Sequence, residues 1–335
     1  MSRLRMVRET FSGLAPRWEG LLGRAAVNNI FLSPQWHRLW WDSLADNEEL
    51  LLFACLDGEE LVGVLPLKRM GGRLSFIGNA NVCDYMDFVV AGGREGEVYE
   101  AITGHLLGLE WEELTLNGVD GRSPTMSRLV DSLRQRGMGV TIRPEEVCPT
   151  VKLPGSWDEY LSGLSKKDRH ELRRKLRRLY SAGDVRYHVA AQCDGFPKDL
   201  EEFLGLLENS RADKAAFMTP QMRGFFRNTL SGLAKTGAVR LSFLEVDGKR
   251  VSSTVCFDYD NRYFLYNSGY DTEYSHLSVG LLLKALCLKR AIETGKTEFN
   301  FLRGAEPYKY HLGAVDEVVY TISADRRGVL PGEPS

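Results

Sequence analysis

A polar segment near the end of the chain, residues 301–313, concentrates side chains that can move protons and stabilise charge. It reads FLRGAEPYKYHLG and follows a run that predicts a strand. A lysine can stabilise a developing oxyanion, and a tyrosine can protonate a leaving thiolate. These residue types make Lys309, Tyr308 and Glu306 candidate catalytic residues. Arg303 is a candidate for binding substrate, and the alternative is a solvated loop held by local ion pairs.

A second candidate site is the start of an apolar helix predicted over residues 278–294. The polar loop TEYSHLS leads into SVGLLLKALCLKRAIETG, which is apolar on nearly every face and therefore predicts a buried helix. The first turn of a helix carries free N–H groups at the positive end of its dipole, where an anion can bind. Ser278, Val279 and Gly280 are therefore candidates for binding a pyrophosphate, and an ordinary capped helix is the alternative.

Two acidic residues interrupt an otherwise apolar segment, DYMDF over residues 84–88, within a strand predicted over 84–90. Buried carboxylates cost free energy unless they have partners. Asp84 and Asp87 are therefore candidate substrate-binding residues, with a structural hydrogen-bonding role as the alternative.

A strongly basic helix is predicted around residues 165–178, which read SKKDRHELRRKLRR. Helical spacing places Lys166, Arg169 and Arg173 on one face, and the leucines form a packing stripe. Arg169 and Arg173 are candidates for binding the phosphates of a nucleotide-linked substrate or of RNA. A solvated basic face is the alternative.

The elements that must position these residues follow the same order in both halves of the chain. Each half predicts a strand, an Asp-Gly turn, two further strands, a loop, a helix and a closing strand, with the turns at 57–58 and 247–248. This order predicts an α/β (α+β) fold with mixed sheets, duplicated within the chain. Two prolines and two glutamates over residues 144–149 mark the boundary between the halves.

The composition excludes several classes of protein. Lys and Arg total 43 against 45 Asp and Glu, a net charge of -2, which disfavours a dedicated DNA-binding protein. The six cysteines form no CxxC pair or zinc-like cluster, so we expect no metal site. The apolar runs are too short to span a bilayer and the N-terminus lacks a secretory signal, so we expect a cytoplasmic protein without stable membrane insertion.

The combined pattern resembles the CelD/BcsL-type branch of the GNAT acyltransferase superfamily, which is related to the Fem-type aminoacyltransferases. The residues that carry the resemblance extend over about 30–320. The resemblance implies tandem GNAT-like folds that share a central cleft. It gives an N-terminal domain over 1–147, a C-terminal acyltransferase domain over 148–325 and a flexible tail over 326–335. The segments concerned are FLSPQWHRLWW, LVGVLPL, DYMDF, CPTVKLPGSWDEYLSGLSKKDRHELRRKLRRL, SVGLLLKALCLKRAIETG and FNFLRGAEPYKYHLGA.

The resemblance also implies roles for the candidate residues. In GNAT enzymes the acyl-CoA lies where two central strands separate, and its pyrophosphate rests on the following helix, here at 278–280. Lys309 matches a lysine that Fem-type relatives carry to stabilise the transition state. The clustered polar residues, rather than the resemblance, suggest the remaining roles in acyl transfer to an amine. Glu306 or Asp87 would accept the proton of the attacking amine, directly or through water, and Tyr308 would protonate the leaving group.

Three functions remain open from the sequence. The first is an N-acyltransferase that uses acyl-CoA (acetyl-CoA) and an amine acceptor, a small or nucleotide-linked molecule such as an envelope or exopolysaccharide precursor. The second is a Fem-like aminoacyltransferase that uses aminoacyl-tRNA, a partner that the near-neutral charge makes the lesser expectation. The third is a non-catalytic GNAT-like binding protein in polysaccharide synthesis, suggested by the single glycine of HLSVG.

Overall fold

The computed structural model describes residues 4–190 and 195–326 of the chain. Its contacts divide the chain into two units, Met1–Glu146 with Glu317–Ser335, and Val147–Asp316. Each unit has its own β-sheet. The strands are β1 (Arg5–Arg8), β2 (Glu49–Asp57), β3 (Glu60–Met70), β4 (Arg73–Phe76), β5 (Val89–Val90), β6 (Glu113–Asp120), β7 (Gly139–Val147), β8 (Thr150–Lys152), β9 (Val185–Val189), β10 (Val239–Val246), β11 (Lys249–Tyr259), β12 (Arg262–Tyr270), β13 (Glu298–Asn300) and β14 (Val318–Asp325).

Helices connect and cover these strands, and five of the eleven α-helices in the described ranges begin at a side-chain cap. Ser33, for example, accepts a hydrogen bond from the Trp36 amide, and Pro34 occupies the first helical position. The helices are α1 (Phe11–Leu22), α2 (Pro34–Leu44), α3 (Glu95–Gly108), α4 (Arg128–Gln135), α5 (Trp157–Gly163), α6 (Lys166–Tyr180), α7 (Phe196–Ser210), α8 (Ala212–Phe217), α9 (Pro220–Ala234), α10 (Val279–Glu293) and α11 (Pro307–His311), with 3₁₀ turns at Ile30–Leu32, Pro124–Met126 and Thr272–Leu277.

The first sheet has the strand order β1-β2-β3-β4-β6-β14-β7, and β5 pairs with β3. Strands β2 and β3 form the hairpin predicted at Asp57-Gly58, where Gly58 adopts a positive φ of 59°. Strand β4 lies parallel to β6, from Arg73 opposite Glu113 to Ser75 opposite Thr115. The chain therefore crosses over between β4 and β6, and α3 lies in that crossover.

The second sheet has the order β8-β13-β12-β11-β10-β9. Strands β10 and β11 form the second predicted hairpin, with positive φ at Asp247 and Gly248. Strands β12 and β13 lie parallel, and α10 crosses between them. The apolar side chains of α10 fill the core beneath this sheet, as the buried-helix prediction requires.

The predicted order of elements recurs in both units, and the mixed α/β fold class is confirmed. In each unit an Asp-Gly hairpin leads to a third strand, which a helical crossover connects to a parallel strand. No helix in the described ranges is both long enough and apolar enough to cross a bilayer.

The C-terminal strand differs from the predicted domain limits. The sequence assigned residues up to 325 to the second domain, but β14 pairs antiparallel with β6 of the first sheet. An alternating sequence pattern predicts which face of a strand is buried. It does not predict which sheet the strand joins, because every sheet edge offers the same backbone hydrogen-bonding groups. The predicted tail over 326–335 lies outside the described residues, except for Arg326.

Candidate active site

The central feature of the second unit is a gap between two parallel strands. Strands β12 and β13 pair over three positions, the last being Phe264 opposite Asn300. Strand β13 ends there, whereas β12 continues to Tyr270. Within the described residues, no strand pairs with this edge of β12 over 265–270. An extended ligand can therefore pair with backbone groups on this edge. At Ser268 it would replace the Asn267 and Lys214 side chains, which now bond the amide and the carbonyl.

Helix α10 begins close to this gap. Ser278, the residue before the helix, adopts a left-handed conformation with φ 58° and ψ 34°. Its hydroxyl does not cap the helix; instead it accepts a hydrogen bond of 3.1 Å from Nη2 of Arg178 on α6. The helix start therefore combines the N–H groups of its first turn with a guanidinium, a suitable arrangement for an anion.

Gly280 lies close to the end of β12, with little room for a side chain. A Cβ atom at this position would lie 3.0 Å from Cδ1 of Tyr270, at the end of β12. Val279 beside it is fully buried. The structure thus brings the three predicted residues of 278–280 together at the start of α10, next to the end of the unpaired edge.

Lys309 is buried, with 1% of its surface exposed, and its ammonium group is heavily hydrogen-bonded. Nζ donates to the carbonyl oxygens of Leu302, Arg303 and Gly304 at 2.9, 2.7 and 2.8 Å. It also lies 2.9 Å from Oε2 of Glu306. Leu302 and Gly304 have positive φ angles, which turn the backbone around the ammonium group. The oxyanion role of Lys309 stays a prediction, and its present partners hold the 302–306 loop in shape.

Tyr308, Glu306 and Arg303 belong to the same segment, which follows β13. Burial raises the pKa of Tyr308 above its usual range, so its hydroxyl keeps its proton at neutral pH. Its ring packs against Phe301, at 6.1 Å between centroids. Glu306 is about half exposed, and Arg303 is partly buried. Their predicted roles as base and as substrate contact stay predictions.

The arginine of the basic helix α6 that contacts the start of α10 is not one of the two predicted from the sequence. Arg169 donates to the carbonyl of Ser162 at 3.1 Å, and Arg173 is exposed. Arg178, near the end of α6, is the residue that contacts Ser278. The sequence placed all of these on one basic helix, but which residue lies beside α10 depends on how the two helices cross.

Asp84 and Asp87 lie in the first unit, in irregular backbone rather than in the predicted strand, of which only Val89–Val90 forms. Asp87 is buried, with 3% of its surface exposed. Its Oδ1 accepts hydrogen bonds from the Phe88 amide at 2.8 Å and from the Thr125 hydroxyl. These contacts match the structural alternative, and the substrate-binding role of both residues stays a prediction.

The burial of Asp87 predicts a stability that depends on pH. Desolvation raises its pKa from 3.8 to about 7, so the folded protein keeps a proton that the unfolded chain releases. Stability is therefore expected to fall by about 3 kcal/mol as the pH rises from 4 to 7. In Asp87→Asn, which does not titrate, this slope should flatten. Chemical denaturation of both proteins across this pH range measures it, and equal slopes would show that Asp87 is charged when folded.

Two lysines beside the gap escaped the sequence analysis. Lys284 of α10 is 8% exposed, and Lys214 of α8 contacts β12. A lysine within the apolar run of α10 was the available signal for the first of them. No group of three His, Cys, Asp or Glu side chains in the described part of the chain is arranged to hold a metal ion.

Comparison with known proteins bears on this site. Residues 166–310 match the family model described as an acetyltransferase (GNAT) domain. The matched residues make up most of the second unit, which is therefore similar to a GNAT acetyltransferase domain. The match spans the basic helix, the gap between β12 and β13, the start of α10 and most of the 301–313 segment. This domain supports an acyltransferase, as predicted, whereas the CelD/BcsL branch finds no support beyond the sequence resemblance.

Solved structures extend the similarity to both units. The chain is similar to FemX, with a TM-score of 0.67 at 10% identity over 95% of this chain and 96% of that one. It is also similar to L-PGS from Bacillus licheniformis, with a TM-score of 0.59 at 12% identity over 92% and 90%. A tandem GNAT protein from the clavulanic acid biosynthesis pathway gives 0.51 at 13% identity over 96% and 98%. These likenesses establish a tandem GNAT-like fold, and no curated protein sequence matches the chain.

Proposed function

We propose that this chain transfers an acyl group from an acyl-CoA to the amine of an acceptor. The observation that carries the proposal is the separation of β12 from β13 beside the start of α10. The unpaired edge of β12 offers partners to the amide groups of an extended donor. The first turn of α10 and Arg178 offer partners to its phosphates.

In this proposal the acceptor nitrogen attacks the thioester carbonyl, the C–S bond breaks, and the sulfur leaves with a proton. Tyr308 supplies that proton, because burial keeps its hydroxyl protonated. Glu306 accepts the proton of the amine, directly or through water, since its carboxylate is half exposed. Lys309 acts as a positioning residue that fixes the loop carrying both groups. Much of the acceleration comes from holding the two substrates together.

The donor is tested by calorimetric titration with acetyl-CoA. We expect saturable binding that Arg178→Gln weakens about 10-fold, because a charge-assisted hydrogen bond to phosphate is lost. Arg177→Gln is the matched control, since Arg177 is the exposed neighbouring residue and should change the affinity less than about 2-fold. Absence of acetyl-CoA binding at millimolar concentration would contradict the proposal.

A Fem-like aminoacyltransferase is the second candidate function, and the surface of α6 favours it. Lys166, His170, Arg173 and Arg177 are exposed and follow the spacing of one helix face. They extend over about 16 Å, longer than a diphosphate and suited to a polynucleotide backbone. The resemblance to Fem-type enzymes and the similarity to FemX agree with a charged tRNA as donor.

The two donors predict different responses to salt and to substitution. Binding of charged tRNA should weaken steeply with salt, and Arg173→Gln with Arg177→Gln should lower the log–log slope by about 2. Acetyl-CoA binding should respond to Arg178 and not to this pair. Loss of both donors with retained binding of a polysaccharide precursor would favour the non-catalytic function. For the acceptor we propose an envelope or exopolysaccharide precursor assembled in the cytoplasm.

A further inference from the structure

Two lysines approach the unpaired edge of β12 within the second unit. Nζ of Lys214 donates to the carbonyl oxygen of Ser268 and lies 3.3 Å from Oδ1 of Asn267. Nζ of Lys284 donates to the carbonyl oxygen of Gly280 at 3.0 Å and lies 4.9 Å from the centre of the Tyr308 ring. Lys214 therefore lies at β12, whereas Lys284 lies at the start of α10 and beside Tyr308, the proposed proton donor to the leaving sulfur, near which the acyl end of the donor must then lie.

The register of β12 indicates that the lysines approach from opposite faces of the sheet. Ser268 lies opposite Thr254, whose hydroxyl is 3.1 Å from Sγ of Cys287 on α10, so this face carries α10 and Lys284. Gly269, the next residue, points to the other face, where its Cα packs against the backbone of α7. Helix α8 follows α7 directly and carries Lys214. The two ammonium groups nevertheless interact electrostatically, since the positive charge of Lys214 contributes to lowering the pKa of Lys284.

The groups around the lysines leave positive charge in excess. Lys214 is faced by Arg211, Asp213 and Glu306, and desolvation, followed by Arg211, lowers its pKa to about 8. Lys284 is faced by Lys214, Glu306 and two thiols, and desolvation, followed by Lys214, lowers its pKa to about 8. The thiols are those of Cys256 and Cys287. A hydrogen bond with Cys256 lowers the pKa of Cys287 to about 7, so its thiolate offsets part of the positive charge near Lys284 at pH 8.

The carboxylate of Glu306 does not remove this excess, because it is already 2.9 Å from Nζ of Lys309. Two like charges that are largely removed from water repel each other unless an anion lies between them. An oxyanion formed in the reaction would balance the two positive charges only during turnover. The carboxylate of a bound substrate balances them for as long as that substrate is bound.

We propose that Lys214 and Lys284 bind a carboxylate carried by one of the two substrates, at the acyl end of the gap. This inference rests on the proposed acyl-transfer function, because that function places the transferred group there. The carboxylate has two possible sources of the same chemistry: a dicarboxylic acyl group such as succinyl, or an acceptor that is an amino acid.

Proton uptake distinguishes this site from an ordinary anion contact. At pH 8 each unliganded lysine is about half protonated, and a bound carboxylate raises its pKa. Succinate binding should therefore take up as much as about one proton per molecule, measured by calorimetry in two buffers that differ in ionisation enthalpy. Acetate, with one carboxylate, is the comparison ligand.

Substitutions test whether the lysines are responsible. Lys214→Met and Lys284→Met should each weaken succinate binding about 10-fold and remove about half of the proton uptake. Lys214→Arg keeps the charge and should retain binding. Together with Lys214→Met it tests the site even if Lys284→Met folds poorly. Lys289→Met, at a partly exposed position on the same helix, is the control and should bind as the parent does.

Two comparisons of binding affinity distinguish the two sources of the carboxylate. One compares succinyl-CoA with acetyl-CoA, and the other compares free amino acids with the corresponding amines that lack the carboxylate. Tighter binding of succinyl-CoA, lost in Lys214→Met, identifies the acyl group; tighter binding of amino acids identifies the acceptor. If carboxylates bind but acetyl-CoA and succinyl-CoA do not, the lysine site stands and the CoA donor is wrong. If no carboxylate binds saturably up to about 50 mM, or binding takes up no proton and ignores both substitutions, the inference is overturned.

Discussion

Replacing Lys309 by methionine is expected to lower the free energy of unfolding by about 3 kcal/mol, because three backbone carbonyls lose their shared donor in a buried site. The 302–306 loop should then lose its shape, with a fall of about 100-fold in kcat/KM from misplaced catalytic groups. Chemical denaturation followed by circular dichroism measures the first effect, and hydrogen exchange over residues 301–314 locates it.

A comparison variant separates positioning from direct catalysis. Glu306→Gln leaves the three carbonyl contacts of Lys309 in place, so its stability should stay within about 1 kcal/mol of the parent. If Lys309→Met instead retained full stability and loop protection while turnover collapsed, Lys309 would act on the oxyanion. The positioning role argued from its carbonyl partners would then be wrong.

The second large effect is expected at Gly269, where β12 passes directly against helix α7. A Cβ atom there would lie 2.3 Å from the backbone nitrogen of Leu207 and 2.4 Å from the carbonyl of Leu206. Because backbone atoms cannot rotate away, Gly269→Ala must push the helix off the strand, at a cost of about 3 kcal/mol. The displaced helix would carry Lys214 with it, so carboxylate binding should weaken as well.

Gly205 provides the matched control in the same helix. No atom lies within 4 Å of a Cβ placed there, and the residue is in the interior of α7. Gly205→Ala should therefore stabilise the protein by as much as about 1 kcal/mol, through the higher helix propensity of alanine. A thermal melt of both variants checks the pair, and a neutral Gly269→Ala would show that α7 does not press on β12.

The order of elements in each unit was predictable because short sequence patterns determine it. Asp57-Gly58 and Asp247-Gly248 supply the backbone conformations that hairpins need, and the apolar run at 279–293 could only be a buried helix. The strand predicted over 84–88 does not form. Hydrogen bonds from the Phe88 amide and the Thr125 hydroxyl to Asp87 hold this segment instead of pairing with a neighbouring strand. The sheet joined by β14 was likewise not encoded locally.

The candidate site was predictable in its location more than in its contacts. The sequence indicated the 301–313 segment by its cluster of charged and tyrosine side chains. It indicated the start of α10 by the polar loop that leads into an apolar helix. It did not give the partners of Lys309, because those are backbone carbonyls whose direction depends on positive φ angles at Leu302 and Gly304. It also missed Lys214, whose relation to β12 exists only after α7 packs on Gly269.

The most direct test of the central claim is a crystal structure of the protein with coenzyme A bound. The account predicts the pantetheine arm along the unpaired edge of β12 at 265–270, with the diphosphate at Val279 and Gly280 beside Arg178. Clear density for coenzyme A at any other surface, with this edge empty, would contradict the claim that the gap between β12 and β13 is the donor site.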